Sequence, residues 1–349
     1  MKNFIGKKVL VTGHTGFKGS WLVFTLNFLG AQVYGFAISE PKALKHVYHS
    51  LNIKKLLINK NSHLGDVRSP EFVMLVRKIE PDFIFHLAAQ AIVKTAYTEP
   101  HFTFSTNVMG ILNLLEYLRE SQSKATVVII TSDKCYKDLE NQVAHIETDE
   151  LGGSDPYSAS KAAAELLIGA YLNSYQDLCQ PGGIASARAG NVFGGGDWSQ
   201  DRLIPDLVRN LFEKKPIQLR MPKAVRPWTY VHDVIRGYLY LAAALRDNPE
   251  KHRGSWNFSS SETLNVEQVA KTFIDYLGSG TYILDSPNNL LKEVTYLQIN
   301  PFKANSVLNW WCQFPIDIAL EKTAEWYSKQ NTGSEINTYS YEILKEFYQ

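Results

Sequence analysis

The start of the chain contains a short apolar strand followed by a turn in which glycine recurs at every third position. The strand is Lys8–Thr12, the turn holds Gly13, Gly16 and Gly19, and residues 20–29 have the composition of a helix. The first glycine permits a tight turn, the second lets the backbone approach a pyrophosphate, and the third lets the helix pack on the strand. Free N–H groups at the start of the helix then favour an anion. The arrangement predicts dinucleotide binding, although the spacing is Gly-x-x-Gly-x-x-Gly and turn chemistry alone is the alternative.

Strand-like and helix-like segments alternate through the first half of the chain. Apolar or β-branched segments lie at 31–38, 81–86, 126–130 and 184–189. Residues 107–119 carry apolar side chains at helical spacing, which indicates a helix that contributes to the core. Such alternation is typical of a parallel sheet covered by helices on both faces.

We therefore predict an α/β fold with a Rossmann-type doubly wound parallel sheet and a smaller C-terminal α/β substrate-binding domain. The first domain is expected to comprise 1–190 plus about 229–258, with 254–258 as its last strand. The second is expected to comprise 191–228 plus 259–349. The three glycines at 194–196 suit a bending segment between them.

The composition disfavours several kinds of partner. The 349 residues are 45% hydrophobic and have a formal net charge of +1 with no long run of like charge, which argues against nucleic acid or a membrane surface. No apolar run approaches the roughly 20 residues that span a bilayer, and the N-terminus enters a strand directly, so we expect no signal peptide. Cys135, Cys179 and Cys312 lack the spacing of a metal site, and we expect reduced thiols, no metal and a cytoplasmic location.

The end of the second strand leaves the choice between NAD and NADP open. An NAD site usually has an acidic residue about 20 residues beyond the glycines, where it binds the ribose hydroxyls. Ala37 stands near that point here, and Ser39 and Glu40 follow it. Lys42 and Lys45 would suit a 2′-phosphate, or they are ordinary solvated lysines of a loop.

Tyr157 and Lys161 lie four residues apart at the start of a predicted helix, directly after a loop that ends at Pro156. This spacing places both side chains on one face of the helix. A phenol has a pKa near about 10, and a neighbouring ammonium favours its ionised form. Lowering that pKa to roughly 7 requires on the order of 4 kcal/mol, which the ammonium and a nicotinamide cation in a dry cleft can supply. The alternative is a helix start with a solvated lysine.

Polar side chains also follow two of the predicted strands. The strand at 126–130 delivers Thr131, Ser132, Asp133 and Lys134 to its carboxyl end, where open α/β sheets bind their ligands. A capped turn is the alternative there. The strand at 81–86 runs into a turn of small residues, whose backbone could lie close to a flat ligand group. We interpret His86, at the end of this strand, as a core histidine.

Three motifs carry a family resemblance: Gly13-x-x-Gly16-x-x-Gly19, His86-Leu-Ala-Ala89 and Tyr157-x-x-x-Lys161. Together they resemble the extended short-chain dehydrogenase/reductase family of NAD-dependent epimerases and dehydratases, which act on nucleotide sugars. The order and spacing match over roughly the whole chain. The strings Thr131-Ser-Asp-Lys-Cys-Tyr136 and Gly194-Gly-Gly-Asp-Trp198 are similar to the branch of this family that dehydrates CDP-glucose.

The resemblance implies a 4,6-dehydration with NAD as cofactor. Tyr157 would take the proton of the C4 hydroxyl while hydride leaves C4, Lys161 would hold the ribose and depress the tyrosine pKa, and Ser132 would share the proton. The resulting 4-ketone acidifies the C5 hydrogen, water is lost across C5–C6 with Asp133 as a neutral acid, and the hydride returns to C6. The product, CDP-4-keto-6-deoxyglucose, would supply deoxysugars for O-antigen and lipopolysaccharide.

Lys134 departs from the wider dehydratase pattern, which usually has a glutamate as the C5 base at this position. The CDP-glucose branch resembles this sequence in having lysine there. An ammonium cannot accept a proton, so Lys134 would have to be neutral to act as the base. The alternative is that Lys134 pairs with a nearby acid.

The resemblance also implies a set of binding residues. Arginine guanidinium groups suit a diphosphate, and a surface salt bridge is the alternative for each. Asp66, after a likely strand, would meet the adenine. The residues expected to bind cofactor are Gly13, His14, Thr15, Gly16, Phe17, Lys18, Gly19, Asp66, Val67, Leu87, Ala88, Ala89, Gln90, Thr106, Tyr157 and Lys161. Those expected to bind CDP-glucose are Gln90, Ser132, Asn191, Asp197, Trp198, Arg202, Arg220 and Arg226.

Other functions remain open from the sequence. A 4-epimerase or a dehydratase of another nucleotide sugar would share most motifs, but an epimerase expels no water and needs neither Asp133 nor Lys134. A non-catalytic dinucleotide sensor need not keep Tyr157 and Lys161. The resemblance further implies a homodimer or homotetramer.

Overall fold

The computed structural model describes residues 2–57, 61–138, 142–178, 180–219, 221–278, 280–284 and 295–349. Its strands are β1 (Lys8–Thr12), β2 (Gln32–Ala37), β3 (Ser62–Leu64), β4 (Phe83–His86), β5 (Thr126–Ile130), β6 (Ile184–Arg188), β7 (Val192–Phe193), β8 (Ile217–Leu219), β9 (Val225–Arg226), β10 (Thr229–Tyr230), β11 (Gly254–Asn257), β12 (Leu264–Asn265) and β13 (Tyr282–Leu284).

The helices alternate with these strands in the first half of the chain. They are α1 (Phe17–Phe28), α2 (Val47–Ser50), α3 (Ile53–Leu56), α4 (Pro70–Ile79), α5 (Val93–Thr98), α6 (Pro100–Phe104), α7 (Gly110–Ser121), α8 (Pro156–Ser174), α9 (Leu203–Phe212), α10 (Val231–Asp247), α11 (Pro249–His252), α12 (Val266–Leu277), α13 (Phe302–Leu308), α14 (Ile316–Thr332) and α15 (Ile336–Tyr348). A π-helical turn covers Ser105–Met109, and a 3₁₀ turn covers Asp133–Cys135. Among the helices of the described ranges, none is both long and apolar enough to cross a bilayer.

Seven parallel strands form the central sheet in the order β3-β2-β1-β4-β5-β6-β11. Successive side chains of a strand point to opposite faces, and both faces are apolar here. Val9 and Val11 belong to one buried cluster, which includes residues of α1 and α10. Leu10 and Ile84 belong to a second cluster, which includes residues of α4, α7 and α8. Helices therefore cover both faces, and the predicted doubly wound α/β fold is confirmed.

The strand order reverses at β1, because the chain first builds β2 and β3 on one side and then places β4 on the other. Ligands of open α/β sheets bind at such a switch point, outside the carboxyl ends of the strands. The glycine turn follows β1 at this edge of the sheet, and the Leu87–Gln90 turn follows β4. The fold thus brings two of the predicted motifs together.

The second half of the chain adds three two-stranded pairs, β7 with β10, β9 with β12, and β8 with β13. The cluster on the α1 side of the sheet continues into α14 and α15, where it includes Trp326, Tyr327 and Phe347. The two-domain division with boundaries near 190, 228 and 258 stays a prediction.

The structure moves the predicted start of two helices. Helix α1 begins at Phe17 and includes Gly19 in its first turn, although we expected it from residue 20. The helix expected over 107–119 is split, because the π turn occupies Ser105–Met109 and α7 begins only at Gly110. Four of its expected apolar positions, Ile111, Leu114, Leu115 and Leu118, are buried.

Candidate active site

A cavity of about 340 Å³ lies at the carboxyl edge of the sheet and extends toward the second half of the chain. Its walls come from the glycine turn, the segments after β4, β5 and β6, the N-terminal part of α8, and the segment that leads into α9. The predicted site residues in these walls are Lys18, Leu87, Ala89, Ser132, Asp133, Lys134, Tyr157, Lys161, Asn191, Asp197, Arg202 and Arg226.

The glycine turn has the geometry that a pyrophosphate requires. Gly13 has a φ of +69°, which favours glycine, and a Cβ there would lie 2.9 Å from the backbone nitrogen of Ala88. A Cβ on Gly19 would lie 2.1 Å from the carbonyl oxygen of Gly13. Gly16 caps α1 without any side-chain hydrogen bond, so the first turn of the helix presents uncapped N–H groups. These residues fit the diphosphate of a dinucleotide.

The side chains of the glycine turn serve to hold it in place. The Nε2 atom of His14 lies 2.8 Å from the Ser62 hydroxyl. Burial lowers the pKa of His14 to about 4, so its imidazole is neutral at pH 7. The Thr15 hydroxyl donates to the carbonyl oxygen of Ser39 at 2.8 Å. The Phe17 ring is buried in the core. For these three residues the backbone is the part that a ligand can reach.

Lys18, one of the residues expected to bind cofactor, lies in the first turn of α1 and adds a side-chain amine to the cavity. Its side chain lines the cavity, and its Nζ lies 3.4 Å from the hydroxyl of Tyr238 on α10. Burial, together with the charges of Lys161 and Arg202, lowers the pKa of Lys18 to about 7. The glycine turn therefore contributes an amine as well as backbone N–H groups.

The region expected to meet adenosine is built differently from the prediction. The Asp66 carboxylate accepts hydrogen bonds from the Arg68 guanidinium, at 2.9 and 3.0 Å from Nε, and that contact lowers the pKa of Asp66. Val67 is buried in the core, where it packs against Gly110. Because Arg68 holds the carboxylate, adenine contact by Asp66 stays a prediction.

Glu40, the acid near Ala37, and Lys45, one of the two loop lysines, each contact other side chains of the protein. Glu40 lies 2.9 Å from Nζ of Lys54. The Lys45 ammonium lies over the rings of Trp198 and Phe212, at 5.7 and 5.4 Å from their centroids. Lys45 thus stabilises the junction with α9, and neither group decides between NAD and NADP.

The turn after β4 is fixed by an asparagine that the sequence analysis missed. The Asn107 side chain accepts from the backbone N–H of Gln90 at 2.8 Å, and donates to its carbonyl oxygen at 3.1 Å and to the Ser160 hydroxyl at 2.9 Å. The Gln90 amide donates to Ile92 and Thr103 and does not line the cavity, so its expected ligand contacts stay predictions. Thr106, beside Asn107, has a buried hydroxyl with no partner among the described residues.

Helix α8 presents Tyr157 and Lys161 to the cavity from its first two turns. Asp155 caps it by accepting from the backbone N–H groups of Tyr157 and Ser158, and Pro156 occupies the first turn. Both side chains are buried. Burial raises the pKa of Tyr157 to about 12 and lowers that of Lys161 to about 8. In the chain without ligands burial outweighs the contacts that favour the phenolate, and the expected lowering of the phenol pKa by Lys161 together with a nicotinamide cation stays a prediction.

The segment after β5 places a hydroxyl and a carboxyl group beside the phenol. The Ser132 hydroxyl donates to Oδ1 of Asp133 at 2.9 Å and also hydrogen-bonds the Tyr157 phenol. Oδ2 of Asp133 is buried and has no partner among the described residues. Because Asp133 also lines the cavity, its unpartnered oxygen is available to a ligand group there.

Lys134 follows Asp133 in the cavity wall, and its side chain is half-buried. Within the part of the chain that the structure describes, its amine has no hydrogen bond or ion pair. No acid of that part therefore pairs with Lys134, as the alternative interpretation required.

The substrate half of the cavity contains two guanidinium groups. Arg202 lies 3.3 Å from the buried Asp197 carboxylate, and Arg226 donates to the carbonyl oxygen of Val225 at 2.9 Å. Asn191 lines the cavity with a φ of +39°. Trp198 lies outside the cavity wall and packs edge-on against Tyr327 at 5.7 Å. Arg220 lies outside the described residues, as does Cys179.

Two further residues near the site escaped the sequence analysis: Glu165 on α8 and Arg188 on β6 form a buried ion pair. The only signal in the sequence was the recurrence of polar residues at 157, 161 and 165, every fourth position of one helix. The described ranges contain no group of three or more histidine, cysteine, aspartate or glutamate side chains that would hold a metal ion.

The sequence is similar to a known family and to a known enzyme over most of its length. Residues 9–257 match the sequence profile of the NAD dependent epimerase/dehydratase family. Over 344 residues the chain is 38% identical to a CDP-glucose 4,6-dehydratase from Salmonella typhimurium, with 96% of this chain and 94% of the relative covered.

Two solved structures have a similar fold. An epimerase from Methanothermobacter thermautotrophicus has a TM-score of 0.80 at 24% identity, with 99% of this chain and 96% of that one covered. A dTDP-glucose 4,6-dehydratase from Bacillus anthracis, solved in complex with NAD, has a TM-score of 0.76 at 23% identity, with 95% and 99% covered. At these identities the two structures bear on the fold alone, and they agree with the sheet described above.

Proposed function

The chain belongs to the NAD dependent epimerase/dehydratase family, and from that premise we propose that it is a CDP-glucose 4,6-dehydratase. The observation that carries the proposal is the presence of two kinds of chemistry in one cavity. Tyr157 and Lys161 can remove a hydroxyl proton, and the free Oδ2 of Asp133 can serve a second proton transfer. An epimerase needs only the first.

The residues around the glycine turn fit NAD. Gly13, Gly16 and Gly19 leave room for the diphosphate at the start of α1, where the uncapped N–H groups favour an anion. Lys161 suits the nicotinamide ribose. When bound there, NAD supplies a hydride acceptor that can give the hydride back.

The tyrosine acts as the base for the C4 hydroxyl. Its phenol hydrogen-bonds Ser132, which can relay or share the proton. The Lys161 ammonium, on the same face of α8, stabilises the phenolate. Because burial raises the pKa of Tyr157 to about 12 without ligands, a positive charge added with the ligands is required for efficient proton removal at neutral pH.

Asp133 and Lys134 carry out the dehydration. Asp133 donates a proton to the departing C6 hydroxyl through Oδ2, for which the described residues offer no hydrogen-bond partner. Lys134 removes the C5 proton, and its lack of an acidic partner in the described residues supports this role, because an ion pair would hold it charged.

The assignment of CDP-glucose rests on the 38% identity to the Salmonella typhimurium enzyme. Arg202 and Arg226 offer guanidinium groups for the diphosphate, with Asn191 beside them. We further propose a cytoplasmic location and a homodimer or homotetramer, and a role in supplying deoxysugars to a surface polysaccharide.

The function is tested by incubating the purified chain and NAD with the CDP, dTDP, GDP and UDP derivatives of glucose. We expect the mass of CDP-glucose to fall by that of one water, with much slower turnover of the other three. A product of unchanged mass but altered configuration would indicate a 4-epimerase. Binding of NAD without turnover of any sugar would indicate a sensor.

The role of Lys134 is tested by Lys134→Met in deuterated water. The product formed by the wild type should carry solvent deuterium at C5. In the variant, C4 oxidation should persist while exchange at C5 slows by about a hundredfold or more, the usual contribution of a general base. Exchange at the parental rate would show that another group is the C5 base.

A further inference from the structure

A buried ion pair behind the cavity connects helix α8, which carries Tyr157 and Lys161, with the segment that carries Ser132, Asp133 and Lys134. Glu165 lies one helical turn beyond Lys161 on α8, and its carboxylate is 2.7 Å from Nη2 of Arg188 on β6. Their side chains are 1% and 2% exposed, and neither lines the cavity. Burial of two charges is unfavourable unless further hydrogen bonds compensate for lost hydration. The contacts of the pair therefore indicate which groups it holds.

The Glu165 carboxylate attaches helix α8 to three neighbouring strands. It accepts hydrogen bonds from the hydroxyls of Thr131 at the end of β5, Ser186 on β6 at 2.9 Å, and Ser255 on β11 at 3.2 Å. Residues 157, 161 and 165 share one face of α8 because they are four residues apart. The helix that carries Tyr157 and Lys161 is thus fixed in height and rotation above the carboxyl ends of the strands.

Arg188 fixes the other end of the segment that carries Asp133. Its Nη1 donates to the Tyr136 phenol at 2.7 Å and to the carbonyl oxygen of Glu147 at 3.1 Å. Its guanidinium carbon lies 4.8 Å from the centre of the Tyr136 ring, and the phenol donates in turn to Asn257 at 2.7 Å. Thr131 and Tyr136 flank residues 132–135, so the ion pair holds this segment at both ends.

The charge of Glu165 also acts on Lys161. Burial lowers the pKa of Lys161 to about 8, and the Glu165 carboxylate opposes this shift. The other titratable groups near Lys161 are the Cys135 thiol, Lys18, His86 and the Tyr157 phenol, which burial keeps uncharged at neutral pH by raising its pKa to about 12. Cys135 and His86 are uncharged at neutral pH, because burial raises the pKa of the thiol and lowers that of the imidazole to about 3. Glu165 is thus the anion that keeps Lys161 protonated.

We propose that Glu165 and Arg188 are positioning residues that set the Ser132–Lys134 segment against Tyr157, and that Glu165 also presents its carboxylate on the face of α8 that carries Lys161. The inference deepens the proposed function and rests on it for the activity measurements. Neither residue touches substrate or cofactor, so the effect of each is exerted through the side chains that they hold.

The first test is Glu165→Gln, which keeps the shape and most hydrogen bonds but removes the charge. Removal of a negative neighbour lowers the pKa of Lys161, so the alkaline limb of the kcat/KM profile should move down by about one pH unit, a tenfold change in proton affinity. Asp233→Asn is the matched control, since it removes the carboxylate of another buried pair, 3.2 Å from Arg236. It should lower the melting temperature without moving that limb.

The pKa of Lys161 can be measured from its side-chain NMR resonances in the protein without substrate. This measurement needs no turnover, so it tests the present proposal independently of the proposed function. A lower pKa in Glu165→Gln supports the proposal even if no sugar nucleotide is turned over. An unchanged pKa with a lower melting temperature overturns it. If Glu165→Gln does not fold, the double variant with Arg188→Met, which leaves no lone buried charge, replaces it.

Tyr136→Phe tests the positioning of the Ser132–Lys134 segment alone. It removes the hydroxyl that accepts the hydrogen bond from Arg188, and it leaves the charge of Glu165 near Lys161 intact. We expect kcat to fall about tenfold through misplacement of Asp133, with KM, NAD affinity and the pKa of Lys161 unchanged. Parental kcat in this variant would contradict the positioning of the Ser132–Lys134 segment by Arg188.

Discussion

At the scale of single residues, Gly190 decides where the carboxyl group of Asp133 lies. A Cβ on residue 190 would lie 1.9 Å from Oδ2 of Asp133, far inside van der Waals contact. Gly190 follows the end of β6, and Asp133 follows the end of β5, so the two segments meet at the edge of neighbouring strands. The absence of a side chain at 190 makes room for the proposed acid.

Gly190→Ala should therefore damage catalysis more than folding. The added methyl group would displace the carboxyl by an ångström or more, which costs kcat about a hundredfold, while overpacking lowers the free energy of unfolding by about 1–3 kcal/mol. Kinetics and denaturant unfolding measure the two effects. Gly169→Ala on α8 is the control, because a Cβ there meets nothing within 4 Å. It should raise stability by about 0.5–1 kcal/mol and leave kcat unchanged, and equal kcat in both variants would contradict this role of Gly190.

Some of the site residues could be predicted from the sequence and others could not. The juxtaposition of Tyr157 and Lys161 was predictable because two residues that are four positions apart on a helix lie on the same face. The pKa values of Lys18 and Tyr157 were not, because burial by distant segments determines both. Glu165 and Arg188 are 23 residues apart in sequence, and nothing local indicates that they pair.

At the scale of elements, the π turn Ser105–Met109 interrupts the regular helical structure between α6 and α7. It precedes α7 and turns Asn107 inward, where the side chain is 1% exposed. There it joins the turn after β4, at Gln90, to helix α8, at Ser160. A regular helix was predicted here because the apolar spacing is continuous, and spacing does not reveal an extra residue in one turn.

Asn107→Ala should lower the free energy of unfolding by about 2–3 kcal/mol, because three buried hydrogen bonds are lost and the groups of Gln90 are left without partners. NAD affinity should fall as well, since the turn after β4 loses its support. Asn113→Ala, which removes one hydrogen bond to Val67 at 3.2 Å on the next turns of the same helical region, should cost about 1 kcal/mol. Equal losses in the two variants, measured by urea unfolding, would contradict a special role for Asn107.

The strands were more predictable than the helices. Continuous apolar runs mark strands buried on both faces, and β1 and β5 have the expected bounds. Helix α1 begins earlier than predicted, because Gly19 belongs to the helix and not to the turn. The missing Cβ of Gly19 permits close contact with Gly13.

At the scale of the whole molecule, a net charge of +1 conceals a cavity rich in cations. The charged side chains that line it are those of Lys18, Lys94, Lys134, Lys161, Arg202 and Arg226, together with the carboxylates of Asp133, Asp197, Asp201 and Asp206. Such a surface attracts ligands that carry diphosphates, as both NAD and a sugar nucleotide do. The overall composition gave no sign of this local charge.

The most direct test of the central claim uses CDP-glucose that carries deuterium at C4, incubated with the chain and NAD. An internal oxidation, dehydration and reduction predicts a product lighter by one water that retains the deuterium, now at C6, with no net accumulation of NADH. A product of unchanged mass, or stoichiometric NADH with deuterium lost from the sugar, would contradict the account.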